Sequence, residues 1–209
     1  MTAKLKLYHC KNARSLRPLW MLEELGLDYD LIVLPFPPRV LQKDFLAINP
    51  LGTIPYFEDG DVRMTESSAI THYLSEKYGA AMGKADLHVA LNEPDYGRYL
   101  NWMFFSDATL TFPQTIVLRY TQLEQPERRI AQAAEDYRKW FYGRLRAVDA
   151  GLQNADYLAA GRFTGADIAI GFALYLAKVI GIDQDFPPAV RAYLDRLMAR
   201  EAFQRANAK

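Results

Sequence analysis

Apolar and polar positions change their spacing several times along residues 1–80 and then settle into one period. Lys4-Leu5-Lys6-Leu7-Tyr8 alternates, which predicts a strand. From Ser15 to Leu25 the spacing is helical, with Leu16, Leu19, Trp20 and Leu22 as the apolar set. Ser15 is placed to cap this helix, Pro18 falls in the tolerant first turn, and Gly26 ends it. Tyr29 to Leu34 predicts a second strand, and Pro35, Pro37 and Pro38 then force an extended loop. A short helix follows over Leu41 to Ile48. Ile54 to Glu58 and Asp61 to Thr65, joined by Asp59-Gly60, predict a hairpin. Glu66 to Tyr78 predicts a helix stopped by Gly79, with Ile70, Tyr73, Leu74 and Tyr78 on one face. The order is β-α-β-α-β-β-α.

Residues 81–89 are weakly patterned and read as a linker; residues 90–209 read as helical throughout. Pro94 stands near the start of a long helix carrying Tyr99, Trp102 and Met103, and Pro126 near the start of another that runs to about Gly151. Thr164-Gly165-Ala166-Asp167 has the form of a capping box ahead of the apolar run Ile168 to Ile182. Pro187-Pro188 opens a last amphipathic helix with Val190, Tyr193, Leu194 and Leu197. The fold class is α/β followed by all-α.

Composition narrows the function. Lys+Arg and Asp+Glu are 25 each, so no basic excess points to nucleic acid. The single cysteine, Cys10, leaves no internal disulfide and fits a reducing compartment. Met1 to His9 holds no apolar signal core. The uncharged stretch Ile168 to Ala177 is too short for a bilayer, which takes roughly 20 residues. A cytoplasmic chain that meets no membrane is expected. His9, His72 and His88 show no metal spacing, and no metal is expected.

The most informative run is Asn49-Pro50-Leu51-Gly52-Thr53-Ile54-Pro55, with Glu66-Ser67 after it. An Ile-Pro step at a strand start is a candidate cis bond. Such a bend would turn the Ile54 N–H and C=O away from their own sheet, free to pair with a ligand backbone as an added strand does. Glu66-Ser67 opens a helix, whose free N–H groups and dipole attract a carboxylate. Each half alone reads equally as a proline turn or a helix cap; together they describe a peptide-binding corner.

With Arg17-Pro18-Leu19-Trp20-Met21-Leu22-Glu23-Glu24-Leu25-Gly26 and Phe163-Thr164-Gly165-Ala166-Asp167, these motifs make nearly the whole chain resemble the cytosolic glutathione transferases. The resemblance implies a thioredoxin-like glutathione-binding domain over 1–80, an all-helical substrate-binding domain over 90–209, a homodimer, and glutathione as co-substrate. It implies that Thr53, Ile54 and Pro55 line the cysteinyl part, that Glu66 takes the γ-glutamyl amine, and that Ser67 takes its carboxylate. Many relatives place a histidine just before the second helix; the aligned position here is Val40, which leaves Arg39, Gln42 and Lys43 as substitutes for the glycyl carboxylate. Each of these reads equally as a solvated surface residue.

The thiol must become a thiolate. Lowering its pKa by two units takes about 2.7 kcal/mol of differential stabilisation. Donors at the start of the first helix can supply this. The position that holds the active Ser or Cys in several classes falls on Asn12, whose amide can donate but not ionise. The bacterial beta-class cysteine aligns with Arg14, and the tyrosine of the alpha, mu and pi classes lies near Tyr8 or His9. Ser15 is the best hydroxyl candidate, as thiol donor, helix cap, or both. Arg14 adds charge near the thiolate or a carboxylate, or is plain surface. Cys10 either forms a mixed disulfide with glutathione or is a buried structural thiol. Aromatics on the helix after Pro94 read more often as core than as pocket; the resemblance, which puts the second half of that helix over the thiol, makes Phe105, Phe112 and Tyr120 candidates for an electrophile pocket. Asp107 reads as surface charge or as a residue reaching glutathione across a dimer. Asp167 reads as a structural cap.

The expected activity is transfer of glutathione to a small hydrophobic electrophile in detoxification, by a Ser/Asn-donor member of the family. The alternatives are a glutathione-dependent disulfide reductase or peroxidase, and a non-catalytic binding protein on the same fold.

Overall fold

The computed structural model describes residues 5–209; Lys4, expected in the first strand, lies outside the described residues. The chain divides into two compact units, residues 5–88 with 198–209, and residues 89–197.

The first unit is built on a four-stranded sheet of order β2-β1-β3-β4. β1 (Leu5–His9) pairs parallel with β2 (Tyr29–Val33) and antiparallel with β3 (Tyr56–Asp59), which pairs antiparallel with β4 (Val62–Met64). β1 is central, and Leu5, Leu7, Tyr8 and His9 are all buried. The hairpin turns at Gly60, whose φ of 59° suits glycine. β3 begins two residues later than the pattern predicted, because Ile54 and Pro55 stay outside the ladder.

α1 (Leu16–Leu25) buries almost every side chain except Glu23 and Glu24. It ends as expected at left-handed Gly26, whose N–H bonds Leu22 O. Ser15 stands at the N-cap position, but its backbone is helical and its side chain makes no capping bond, contrary to the sequence expectation. The helix expected over residues 41–48 is instead one turn of α2 (Pro38–Leu41) and a 3-10 turn (Lys43–Ala47), broken at Gln42 with φ −137°. α3 (Ser67–Tyr78) follows β4 and packs on α1.

A short final helix, α9 (Glu201–Asn207), packs on α1, an element the sequence reading missed. Phe203 meets Trp20 edge to face at 4.9 Å. Arg200 holds Glu24 in a fork at 2.6 and 2.8 Å, and Lys209 reaches Glu23 at 2.6 Å. The last helical residues therefore belong to the first unit, although the sequence placed all of 90–209 in the helical domain.

Every regular element described within 89–197 is helical. The long helix expected after Pro94 runs as α4 (Tyr96–Phe104), a π-helical stretch (Phe105–Thr111), α5 (Phe112–Leu118) and a second π stretch (Arg119–Leu123). Pro113 has no N–H to continue the ladder. In the widened stretch before it, Thr111 Oγ1 donates to Ser106 O at 2.6 Å. α6 (Ala131–Leu152) begins later than Pro126 suggested, since Pro126–Arg128 form a separate 3-10 turn. α7 (Gly165–Val179) is the buried centre, opened by the expected Thr164/Asp167 capping box. The Asp167 carboxylate accepts from Leu158 N, Thr164 N, Thr164 Oγ1 and Tyr193 OH at 2.7–3.2 Å. Burial nevertheless pushes its pKa up to about 6, against the lowering effect of those bonds. α8 (Pro188–Met198) buries Val190, Tyr193, Leu194 and Leu197 as its spacing predicted.

Candidate functional site

Chain direction brings the chemistry to one end of the sheet. β1 runs antiparallel to β3 with Tyr8 opposite Tyr56, so the loop after β1 lies beside Ile54-Pro55. The Ile54 side chain is buried with Tyr8, Cys10 and Phe45. The Ile54-Pro55 bond is cis, as the sequence suggested; Phe36-Pro37 is cis as well.

The approach to Ile54 is held from its own loop. Buried Asn49 donates from Nδ2 to Thr53 O at 2.8 Å and accepts from Leu51 N at 3.2 Å. Gly52 combines φ 59° with a close approach: a Cβ there would lie 2.6 Å from Arg39 Cβ. With the loop so fixed, neither the N–H nor the C=O of Ile54 makes a hydrogen bond to any described residue. Backbone groups at buried residues are almost always paired, and an open donor and acceptor of this kind are able to pair with an added strand.

Glu66 stands at the N-cap position of α3 in an extended conformation, with φ −87° and ψ 114°, makes no capping bond, and is exposed. Ser67 is buried at the first helical position, and its Oγ accepts from Arg17 Nη1 at 2.9 Å. This bond ties the first turn of α1 to the first turn of α3.

The loop after β1 has an inner and an outer side. Ser15 is fully buried; its Oγ lies 2.9 Å from His9 Nδ1, accepts from Cys10 N at 3.2 Å and reaches Cys10 O at 3.3 Å. Burial pushes the His9 pKa down to about 4, with the Ser15 bond acting in the other direction, so the imidazole is neutral at pH 7. The Cys10 thiol is also fully buried, lies 3.6 Å from Pro35 O, and is pushed up to about 11 by burial. Asn12 is exposed on the outer side with φ 58°, a left-handed conformation that Asn tolerates better than most residues. Arg14 is half-buried on the same loop.

Of the remaining candidates, Arg39 lies against Gly52 and is exposed, as are Gln42 and Thr53. The three aromatic candidates in the helical unit do not meet. Phe105 packs on Trp102 at 5.2 Å, Phe112 on Tyr137 at 6.1 Å, and Tyr120 lines an open cleft of about 350 Å³ among Arg119, Arg128 and Arg129. No group of three or more His, Cys, Asp or Glu among the described residues is placed to hold a metal ion. The sequence pattern alone assigns no role to Arg17 or Asn49. The signal for Arg17 was an arginine inside an otherwise apolar helical run.

The four-stranded sheet with its flanking helices and the helical residues 89–197 define a thioredoxin-like unit and an all-helical one. Family models agree: the glutathione S-transferase N-terminal domain matches residues 3–76 and the C-terminal domain matches residues 114–201. A glutathione S-transferase-like protein of Aspergillus terreus, gedE, is 30% identical over 87% of this chain and 84% of its own. A glutathione S-transferase structure from Xylella fastidiosa superposes with a TM-score of 0.82 at 27% identity, over 97% of this chain and 96% of that one. Ure2p in complex with glutathione shares the fold at a TM-score of 0.84 and 22% identity, each chain covered over 99%. The chain belongs to the glutathione S-transferase family. Among the described residues no helix is long and apolar enough to cross a membrane.

Proposed function

We propose that this protein is a cytoplasmic, homodimeric glutathione transferase that binds glutathione at the Ile54 corner and directs its thiolate at a small hydrophobic electrophile. The observation that carries the reading is the unpaired Ile54 N–H and C=O, flanked by the α3 N-terminus. The cysteinyl backbone of glutathione pairs with Ile54 as an added strand, beside Thr53 and Pro55. The γ-glutamyl carboxylate takes the Ser67 hydroxyl and the first N–H groups of α3, and Glu66 takes the amine. The candidates for the glycyl carboxylate are Arg39, whose Cβ lies against Gly52, Gln42 at the break after α2, and Lys43 beside it. Exposed Val40, Leu41 and Leu51 offer apolar surface for a partner subunit.

The thiol sits at the loop after β1, where the Asn12 amide donates to the developing thiolate and Arg14 adds positive charge. Ser15 contributes from behind, since its hydroxyl is bonded to His9 and Cys10 and holds the turn that presents Asn12. The thiol proton leaves to solvent, sulfur forms a bond to the electrophilic carbon, and the leaving group departs with its electron pair. Positioning and thiolate stabilisation supply the rate enhancement, with no covalent protein intermediate.

A second reading has support from one observation: the Asn12 side chain, at the position where several classes carry an active Ser or Cys, is not ionisable. A binding protein would then hold glutathione without turning it over. The test is conjugation of glutathione to an activated chloronitrobenzene, followed by thioether absorbance across pH 5–9. The transferase predicts a rate above free glutathione, with an apparent thiol pKa below the ordinary ~8.5 that rises in Asn12→Ala. Binding without rate enhancement towards this or a disulfide substrate selects the second reading.

A further inference from the structure

Arg119 stands at the C-terminal end of α5, and the turn at Pro126–Arg128 brings Arg128 and Arg129 back beside it. The three surround an open cleft of about 350 Å³ that Tyr120, Glu127 and Ile130 also line. The guanidinium groups are held in place without being neutralised. Glu124, with a side chain only 15% exposed, accepts from Arg119 Nε at 2.9 Å and pairs with Arg128 Nε at 3.3 Å. One carboxylate thus serves two arginines. Arg129 donates from Nε to Glu124 O at 3.0 Å and from Nη2 to Gln122 O at 3.5 Å. Those acceptors are neutral, so its charge meets no carboxylate bond among the described residues. The Arg128 side chain is 68% exposed, and neither of its Nη atoms donates to a described residue. Glu127 is the one other carboxylate of the cleft.

The neighbouring chain strengthens the field. Residues 119–146 hold seven Lys and Arg against four Asp and Glu, whereas the whole chain is balanced at 25 each. Backbone bonds fix the loop, with Glu124 N donating to Arg119 O at 2.9 Å and Arg129 N to Pro126 O at 3.2 Å. Guanidinium forks set in advance around one cleft match a phosphate, which has oxygens enough for more than one fork. A cleft of this size exceeds a bare phosphate and falls in the range of small-molecule sites. Its other walls are the Tyr120 ring, over which Arg119 lies at 5.7 Å, and half-exposed Ile130. Those walls suit an apolar group on the ester oxygen.

We propose that this cleft binds a small organic phosphate monoester, with the phosphate on Arg128 and Arg129 and the apolar group against Tyr120 and Ile130. The site lies wholly within residues 119–130 and is independent of the glutathione reading.

The test titrates phenyl phosphate into the full chain at constant ionic strength, with inorganic phosphate as the comparison. Calorimetry should give saturable binding of phenyl phosphate, tighter than that of inorganic phosphate and weakened by added chloride. Arg128→Gln, at an exposed side chain that holds no part of the loop, should weaken it about ten-fold, the loss of a charge-assisted hydrogen bond. Glu127→Gln should tighten it by removing a like charge. Arg138→Gln, outside the cleft, should leave it unchanged. In the unmodified chain the Nε–H resonances of Arg119 and Arg129 should shift along the same titration curve. Glutathione should not displace the ligand. No saturable binding, equal affinity for the two phosphates, equal weakening by Arg128→Gln and Arg138→Gln, or displacement by glutathione would each overturn the proposal.

Discussion

Replacing Cys10 with alanine separates conjugation from covalent disulfide chemistry. The thiol is fully buried and its pKa is pushed up to about 11. At pH 7.5 that leaves about one molecule in 3,000 as thiolate, against roughly one in ten for an ordinary thiol near 8.5. Protonation alone therefore slows reaction with Ellman's reagent by about 300-fold, before burial adds a barrier of its own. Native protein should show almost no labelling over minutes and one equivalent after denaturation. Cys10→Ala should retain the wild-type rate of conjugation, and of any glutathione-dependent disulfide reduction, because the only sulfur that reacts is the ligand's. Fast labelling of the native chain, or a variant that binds glutathione but has lost disulfide reduction, would refute the reasoning and install Cys10 as a nucleophile.

Three further outcomes follow from the same geometry. Asn49→Ala strands Thr53 O and Leu51 N beside the corner; thermal melts should show a loss of about 2–3 kcal/mol, and titration a weaker grip on glutathione. Asp167→Ala leaves four donors facing a void and should cost about 3–5 kcal/mol in urea unfolding, a large part of a typical domain's stability. His9 and Asp167 should give opposing pH dependences. With His9 lowered to about 4, the unfolded chain takes up a proton below about 6.5 that the folded chain refuses, so this stability is full above 6.5 and lost as pH falls towards 4. With Asp167 raised to about 6, its contribution is present below the unfolded value near 3.9 and lost as pH rises through 6. Between pH 6 and 4 the two offset each other, and the stability gap between wild type and His9→Asn should narrow by about 3 kcal/mol from pH 7 to 4.

Local chemistry was legible in the sequence because it acts over a few residues. The Gly26 stop, the Asp59-Gly60 hairpin, the Thr164/Asp167 cap and the cis Ile54-Pro55 bond all depend on neighbours, and all are present. The helix over residues 41–48 was misread because apolar spacing persists through a 3-10 turn. α9 was missed because Arg200 leaves the helix with ψ 131° and the element is held by charges on α1, 176 residues away in sequence.

The same limit applies to the site. The spacing of Ile54, Glu66 and Ser67 in the sequence suggests a candidate ligand corner. Ser15 could be named but not its direction: only the fold shows its hydroxyl turned inward to His9 and Cys10. The bond from Arg17 to Ser67 spans 50 residues and no local pattern announces it. The aromatic candidates lie on one helical segment two turns apart, and Phe105 and Phe112 pack on different neighbours, Trp102 and Tyr137.

The central claim is that the open Ile54 backbone and the buried Ser67 form a glutathione site. Calorimetric titration of glutathione into the pure protein at pH 7, repeated with Ser67→Ala, tests it most directly. The account predicts binding in the micromolar to millimolar range, weakened about ten-fold or more by the substitution. No heat and no thermal shift at saturating glutathione would contradict it and leave the fold without its ligand.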